Sequence, residues 1–268
     1  MEYTNFKLSV ADGVAAITLS RPEKLNALTA VIWEELDRVL SALQCDSAVR
    51  ALLLCGEGRA FCAGFDLKAS SEEEDSGVFE QWEGIQRQHD IMLRLWDFPK
   101  PVVAAVQGYC LGGGYELANL ADLIIAADDA VFGLTEMRYS LVPKPNTVWL
   151  VGARKAKEIL LLAEKFDAWE AQRIGLINRV VPRNQLETEA RRMAVKLARM
   201  PEETMRMTKR IINKAIDAQG FRETGDWGWD LFLLSKLTET KLRAEFDKIG
   251  SEQGMKAAFQ WINSRFDV

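Results

Sequence analysis

The sequence is poor in the residues that build metal and thiol chemistry. It has one histidine, His89, and four cysteines, Cys45, Cys55, Cys62 and Cys110, none in a CxxC pair. A histidine-rich metal site is excluded, a cysteine zinc site has no spacing to support it, and no metal is expected. A Ser–His or Cys–His catalytic pair would have to use His89. That residue lies in the polar stretch QRQHD, which reads as a solvated helix face. Basic residues are not in excess: 34 Lys and Arg against 39 Asp and Glu leave a net charge of -5. Such a chain lacks the electrostatic footprint of a general nucleic-acid binder, and no nucleic-acid partner is expected. Long hydrophobic runs are missing too. The longest notable uncharged stretch, Pro101–Tyr115, is too short and too rich in glycine to span a bilayer. The opening MEYTNFKLSV has neither a basic n-region nor an apolar h-region. A cytoplasmic chain with no membrane partner is the expectation.

What is present suits a folded domain. The chain has 268 residues, 48% hydrophobic and 27% charged, enough length and apolar content for a buried core. Phe6, Leu8 and Val10 alternate on one face, Ala11-Asp12-Gly13 supplies a turn, and Val14–Leu19 follows, so a β-hairpin is predicted. Thr29 is placed to cap a helix carrying Ile32, Leu36, Val39, Leu40 and Leu43 at helical spacing. Short apolar runs at 50–55, 102–106, 123–127 and 177–181 read as strands. Helices are predicted at about 78–96 and 146–163, and Ser70–Asp75 reads as an acidic, mobile surface stretch. Beyond Pro182 the pattern holds helices alone, at about 185–199, 202–218, 226–248 and 252–264. Strands alternating with helices, then helices only, predict an α/β core over 1–195 and a helical region over 196–268.

Two glycine-rich loops each follow a predicted strand: Ala60-Phe61-Cys62-Ala63-Gly64-Phe65-Asp66-Leu67 and Gly108-Tyr109-Cys110-Leu111-Gly112-Gly113-Gly114-Tyr115-Glu116. Glycine lets backbone approach a ligand closely and aim N–H groups at it, and a helix N-terminus adds partial positive charge. The second loop is neither a P-loop nor the dinucleotide G-x-G-x-x-G pattern.

With these loops the blocks RPEKLNAL, AFCAGFDLK, KPVVAAVQGYCLGGGYELANLADLIIA, FGLTE and AQRIGLINRV occur in order. The chain resembles the crotonase superfamily, the enoyl-CoA hydratase/isomerase family, over roughly residues 5–265. The resemblance implies a spiral of ββα turns with a helical C-terminal trimerisation region, assembled as a homotrimer or a dimer of trimers. It implies an acyl-CoA substrate whose thioester oxygen is held by the backbone N–H groups of Phe65 and Gly113. The segment Ala63, Phe65, Asp66, Leu67 and Lys68 would lie along the CoA, and no cofactor is implied beyond the CoA of the substrate. Hydratases of the family carry two glutamates, which fall here on Glu116 and, in the FGLTE block, Glu136. Hydration at C2–C3 needs a group to deprotonate water and another to deliver a proton, and two carboxyls near one water repel, so one is expected to hold its proton. Glu116 is the expected water activator and Glu136 the expected proton donor.

Two alternatives stand beside the hydratase. An enoyl-CoA isomerase would need only Glu136, and a non-catalytic crotonase-like chain could bind RNA. The family's dehalogenases and dienoyl-CoA isomerases use an aspartate after the FGxxE block, and no Asp occurs between Asp129 and Asp167. Hydratases resemble one another in a P-G-x-G-G-T-like segment there. This chain has Pro143-Lys144-Pro145-Asn146-Thr147, so the roof of its acyl pocket is expected to differ. Trp82 and Trp149 are read as packing residues, Trp82 under a loop and Trp149 in the core.

Overall fold

The computed structural model describes residues 3–66 and 77–266, so the expectation for Ser70–Asp75 lies outside the described residues. The predicted hairpin forms: β1 (Phe6–Ala11) pairs antiparallel with β2 (Val14–Leu19) across Asp12-Gly13, both at positive φ. β1 is an edge strand, and of its alternating apolar residues only Phe6 is buried, while Leu8 and Val10 are exposed. Thr29 occupies the N-cap of α1 (Ala30–Cys45), although its hydroxyl makes no capping bond.

Three successive units then repeat one path. β3 (Ala51–Gly56), β5 (Val102–Val106) and β7 (Leu123–Ala127) join one sheet, while β4 (Ala60–Cys62), β6 (Tyr109–Leu111) and β8 (Val131–Gly133) join another. Helical segments close the turns: α2 (Val78–Trp96), α3 (Gly113–Ala118) and a 3₁₀ turn (Glu136–Tyr139). β9 (Phe166–Asp167) completes a four-stranded sheet and β10 (Arg179–Val181) a six-stranded one, in the order β1-β2-β3-β5-β7-β10. This is the expected α/β spiral of ββα turns.

Strand periodicity explains how the larger sheet is covered. Leu52, Leu54, Val102, Ala104 and Ile124 face the main core, and Ala51, Leu53, Val103, Ala105 and Ile125 face the opposite side. The predicted 146–163 helix is broken at Gly152 (φ +79) into α4 (Thr147–Val151) and α5 (Ala153–Leu162), and the short α6 (Ala168–Arg173) follows. The second face of the sheet is covered by α7 (Leu186–Ala198), whose Leu186, Ala190, Ala194 and Ala198 recur every fourth residue. Alanine on this stripe lets the helix lie close to the sheet.

The C-terminal region corrects one expectation. The single helix read at 226–248 is two, α9 (Phe221–Leu237) and α10 (Lys241–Gln253), interrupted at Thr238–Thr240, where the Thr240 hydroxyl caps α10 by accepting from the Arg243 N–H. α8 (Glu202–Asp217) and α11 (Met255–Ser264) match the reading. Buried Lys209 ties α8 to the sheet, donating to Asp122 Oδ2 at 2.8 Å, and Asp122 in turn accepts from the Val102 N–H. Among the described residues, no helix is long and apolar enough to cross a membrane.

The turn within RPEKLNAL is pinned by Asn26, fully buried at φ +56. Its amide donates to the carbonyls of Glu57, Ala60 and Phe61 at 3.0, 2.9 and 3.1 Å, and its oxygen accepts from the Arg21 N–H. Replacing it strands buried carbonyls and removes a residue that tolerates left-handed backbone. Asn26→Ala is expected to cost about 2–3 kcal/mol in urea unfolding, with the midpoint lowered.

Candidate functional site

The two glycine-rich loops meet because their glycines admit backbone where a side chain would collide. A Cβ on Gly114 would lie 2.3 Å from the Cys62 carbonyl oxygen, and one on Gly113 would lie 2.8 Å from the Phe65 ring. Gly64 (φ +102) and Gly112 (φ +52) carry the two turns. The segment 63–66 is strapped beside 25–28: Ala63 N–H donates to the Leu25 carbonyl, Leu28 N–H to the Gly64 carbonyl, and Asp66 N–H to the Leu28 carbonyl. The backbone N–H groups of Phe65 and Gly113 have no acceptor among the described residues. Gly113 opens α3, where the first N–H groups lack intrahelical partners. Two free donors therefore come from two touching loops. The Asp66 side chain pairs with Arg21 at 3.1 Å. Leu67 and Lys68 lie outside the described residues.

Glu116 lies one turn into α3, and Glu136 opens the 3₁₀ turn after β8. Their carboxyl groups are buried and close enough for the charge of Glu116 to act on Glu136. Glu116 Oε1 and Glu136 Oε2 are each buried without a hydrogen-bond partner. The other oxygen of Glu116, Oε2, accepts from Lys144, a contact that sequence reading did not anticipate. Lys144 is 5% exposed and its ammonium stands 3.5 Å from the centre of the Trp229 ring. Burial raises the Glu116 carboxyl above its ordinary range, while Lys144 pulls it back. Burial, and then the charge of Glu116, push Glu136 up to about 7.

His89 departs from the expectation of a solvated residue. It is buried at 5% exposure, points from α2 toward α9, stands 2.9 Å from Asp226 and meets the edge of Trp229. α9 accommodates it at Gly225, where a Cβ would come within 3.1 Å of the imidazole. Burial, more than the opposing pull of Asp226, holds His89 below its usual range. The stretch QRQHD is polar, but the helix turns His89 inward along with Ile85 and Met92. Trp82 departs from its reading as a residue packed under a loop: it is exposed, and its indole N–H donates to Asp230 on α9 at 3.1 Å. Trp149 packs edge-on against Phe221, in line with its reading as a packing residue.

An interior cavity of about 40 Å³ is lined by residues including His89, Glu116, Lys144, Thr147 and Trp229, room for a water or two. A larger open groove of about 740 Å³, flanked by Arg191 and Arg192 of α7, lies away from these groups and holds neither glutamate. Burial pushes the Cys55 and Cys62 thiols up to about 12, so neither offers a thiolate near neutrality. Among the described residues, no cluster of three or more His, Cys, Asp or Glu is arranged to hold a metal ion.

The structure thus holds backbone N–H groups without acceptors in two glycine loops and two buried glutamates. Comparison with known proteins narrows the class. The family model described as Enoyl-CoA hydratase/isomerase matches residues 9–237. A crystal structure of an enoyl-CoA hydratase/isomerase from Xanthobacter autotrophicus Py2 superimposes with a TM-score of 0.95 at 34% identity, covering 100% of both chains. A protein named Probable enoyl-CoA hydratase from Rhizobium meliloti is 35% identical over 83% of this chain and 87% of its own length. The Hydroxycinnamoyl-CoA hydratase-lyase of Pseudomonas fluorescens is 34% identical over 93% of this chain and 90% of its own. The chain belongs to the enoyl-CoA hydratase/isomerase family of the crotonase superfamily, and is an enzyme of that type.

The raised Glu136 carboxyl has a consequence for stability. Its folded pKa lies above the ordinary carboxyl value, so its contribution is complete at acid pH and is lost as pH rises through about 7. Glu136→Gln removes that ionisation. Thermal melts should show the variant gaining Tm relative to the parent at pH 8 and differing less from it at pH 5.

Proposed function

We propose that the chain is an enoyl-CoA hydratase that adds water across the C2–C3 double bond of a 2-enoyl-CoA thioester. The observation that carries the reading is the pair of buried carboxyl oxygens without protein partners, Glu116 Oε1 and Glu136 Oε2, beside two free backbone donors. Buried polar atoms are normally satisfied, so unpaired ones in a family site mark where water and substrate bind.

In this reading the N–H groups of Phe65 and Gly113 hold the thioester oxygen. Glu116, ionised, takes a proton from water as its oxygen attacks C3. The C2–C3 π electrons move toward the carbonyl, and the enolate oxygen forms between the two donors. Glu136, protonated because its carboxyl is pushed up to about 7, delivers its proton to C2. The cycle closes when the proton on Glu116 is returned to Glu136 through solvent. Ala63, Phe65, Asp66, Leu67 and Lys68 would run along the CoA. The working form would be a homotrimer or a dimer of trimers in the cytoplasm, with residues 196–268 as the trimerisation region.

Isomerisation is the second reading, favoured by one observation: an oxygen of Glu116 is already engaged by Lys144. An isomerase would shuttle its proton on Glu136 alone. The two are separated by following the ultraviolet absorbance of the conjugated thioester over short, branched, long and aryl 2-enoyl-CoAs, with product mass. Hydration predicts loss of absorbance and a gain of one water. Glu116→Gln and Glu136→Gln should each lower kcat by about 10²–10⁴-fold. An unchanged rate in Glu116→Gln, with the double bond moved and no water gained, would establish the isomerase instead.

A further inference from the structure

Lys144 is an unusual presence in a buried carboxylate site. The segment Pro143-Lys144-Pro145 crosses between α3 and α9, and its lysine is turned inward at 5% exposure. The ammonium donates to Glu116 Oε2, and the Glu116 side chain is itself only 9% exposed. Its remaining surroundings are aromatic: Trp229 at 3.5 Å, Phe65 at 5.3 Å and Phe232 at 5.5 Å from the ring centres. Rings of this kind accept a cation on their faces, so the cage suits a charged lysine.

The backbone holds the lysine in place. Prolines on both sides restrict its dihedral freedom. Pro145 sits where Gly228 of α9 has no side chain; a Cβ there would lie 2.7 Å from the proline ring. The next residue of α9 is Trp229, the nearest wall of the cage.

We propose that Lys144 is the built-in counter-charge of the glutamate pair: a positioning residue that holds Glu116 ionised and leaves the pair's single proton on Glu136. The inference rests on reading these glutamates as the acid–base pair. Two buried carboxylates with no cation would each resist ionisation, and the site would tend to hold two protons. A hydratase then has an acid but no base. One fixed ammonium makes the set neutral with a single proton, which is the state that water addition requires. By binding Oε2 alone, Lys144 leaves Glu116 Oε1 for water.

The other titratable groups around it do not supply this charge. His89, across the Trp229 ring on α2, is held below its usual range by burial. Its partner Asp226 on α9 is more than half exposed. Tyr115 on α3 is pushed up by burial and stays neutral. Among the described residues lining the cavity, the other ionisable nitrogens are those of His89, so Lys144 is the fixed cation among them.

The test reads protonation directly. Protein labelled with ¹³C at the glutamate carboxyls is titrated by NMR as wild type, Lys144→Met and Lys144→Arg. In Lys144→Met, Glu116 should keep its proton to a pH higher by about one unit or more, and Lys144→Arg should restore most of the wild-type curve. In parallel, the acid limb of the kcat/KM profile for hydration should move up by a similar amount. At pH 7 kcat should fall about tenfold or more with KM less affected. Superimposed titration curves for folded wild type and Lys144→Met would overturn the proposal.

If Lys144→Met is too unstable to titrate, a melting comparison at pH 8 with Glu116→Gln decides. Lys144→Met/Glu116→Gln should fold and melt above whatever transition Lys144→Met retains, because it no longer carries a carboxyl that burial without a cation penalises; a double variant no more stable than Lys144→Met would overturn the proposal. The titration needs no turnover. A shifted Glu116 curve in a protein that hydrates no enoyl-CoA would reject the hydratase reading while supporting the charge assignment.

Discussion

The site depends on a steric constraint: two loops must touch where no Cβ fits. Gly114 stacks on the Cys62 carbonyl and Gly113 on the Phe65 ring. That contact brings α3 down onto β4, where the N–H groups of Phe65 and Gly113 have no acceptor among the described residues and Glu116 is buried one turn later. A methyl group at Gly114 would separate the loops and displace Gly113 and Glu116 together. The spiral supplies the setting. Each unit passes from the large sheet to the small one, so the loops after β4 and β6 emerge on adjacent strands, with Cys62 opposite Cys110.

Charge is the second constraint. Burying two carboxyl groups is costly unless they are paired, protonated or hydrogen-bonded. Here Lys144 pairs with Glu116, and Glu136 is pushed up to about 7. One lysine thereby gives chemically identical side chains different environments, one paired with a cation and the other raised by burial and by its neighbour's charge. The aromatic cage and flanking prolines secure the lysine without a second carboxylate.

The limits of sequence reading show at particular residues. The strands of the larger sheet are legible because its buried strands are short apolar runs, and α1 is legible from its helical spacing, whereas β4 and β6 read as glycine-rich loops and β8 and β9 give no signal, each being two or three residues long. His89 was misread because its sequence neighbours are polar; only the packing of α2 against Gly225 and Trp229 of α9 turns it inward. The run 226–248 reads as one helix because its composition stays helix-like on both sides of Thr238–Thr240, where the N-cap residue Thr240 is the one local sign of a new start. Lys144 stood out as a departure from the family's glycines. Its partner Glu116 is 28 positions away in the chain, a separation that no local pattern reports.

The sequence by itself determined the family, through ordered blocks that resemble it, and the strands of the larger sheet and most helices, because apolar periodicity acts locally along the chain. The tertiary structure alone decided which oxygens of Glu116 and Glu136 are left without partners, that His89 is buried, and that a lysine sits against one of the acids. Burial and charge pairing are properties of three-dimensional neighbours: Glu116, Lys144 and Trp229 come from three separate segments and meet only when the chain is folded.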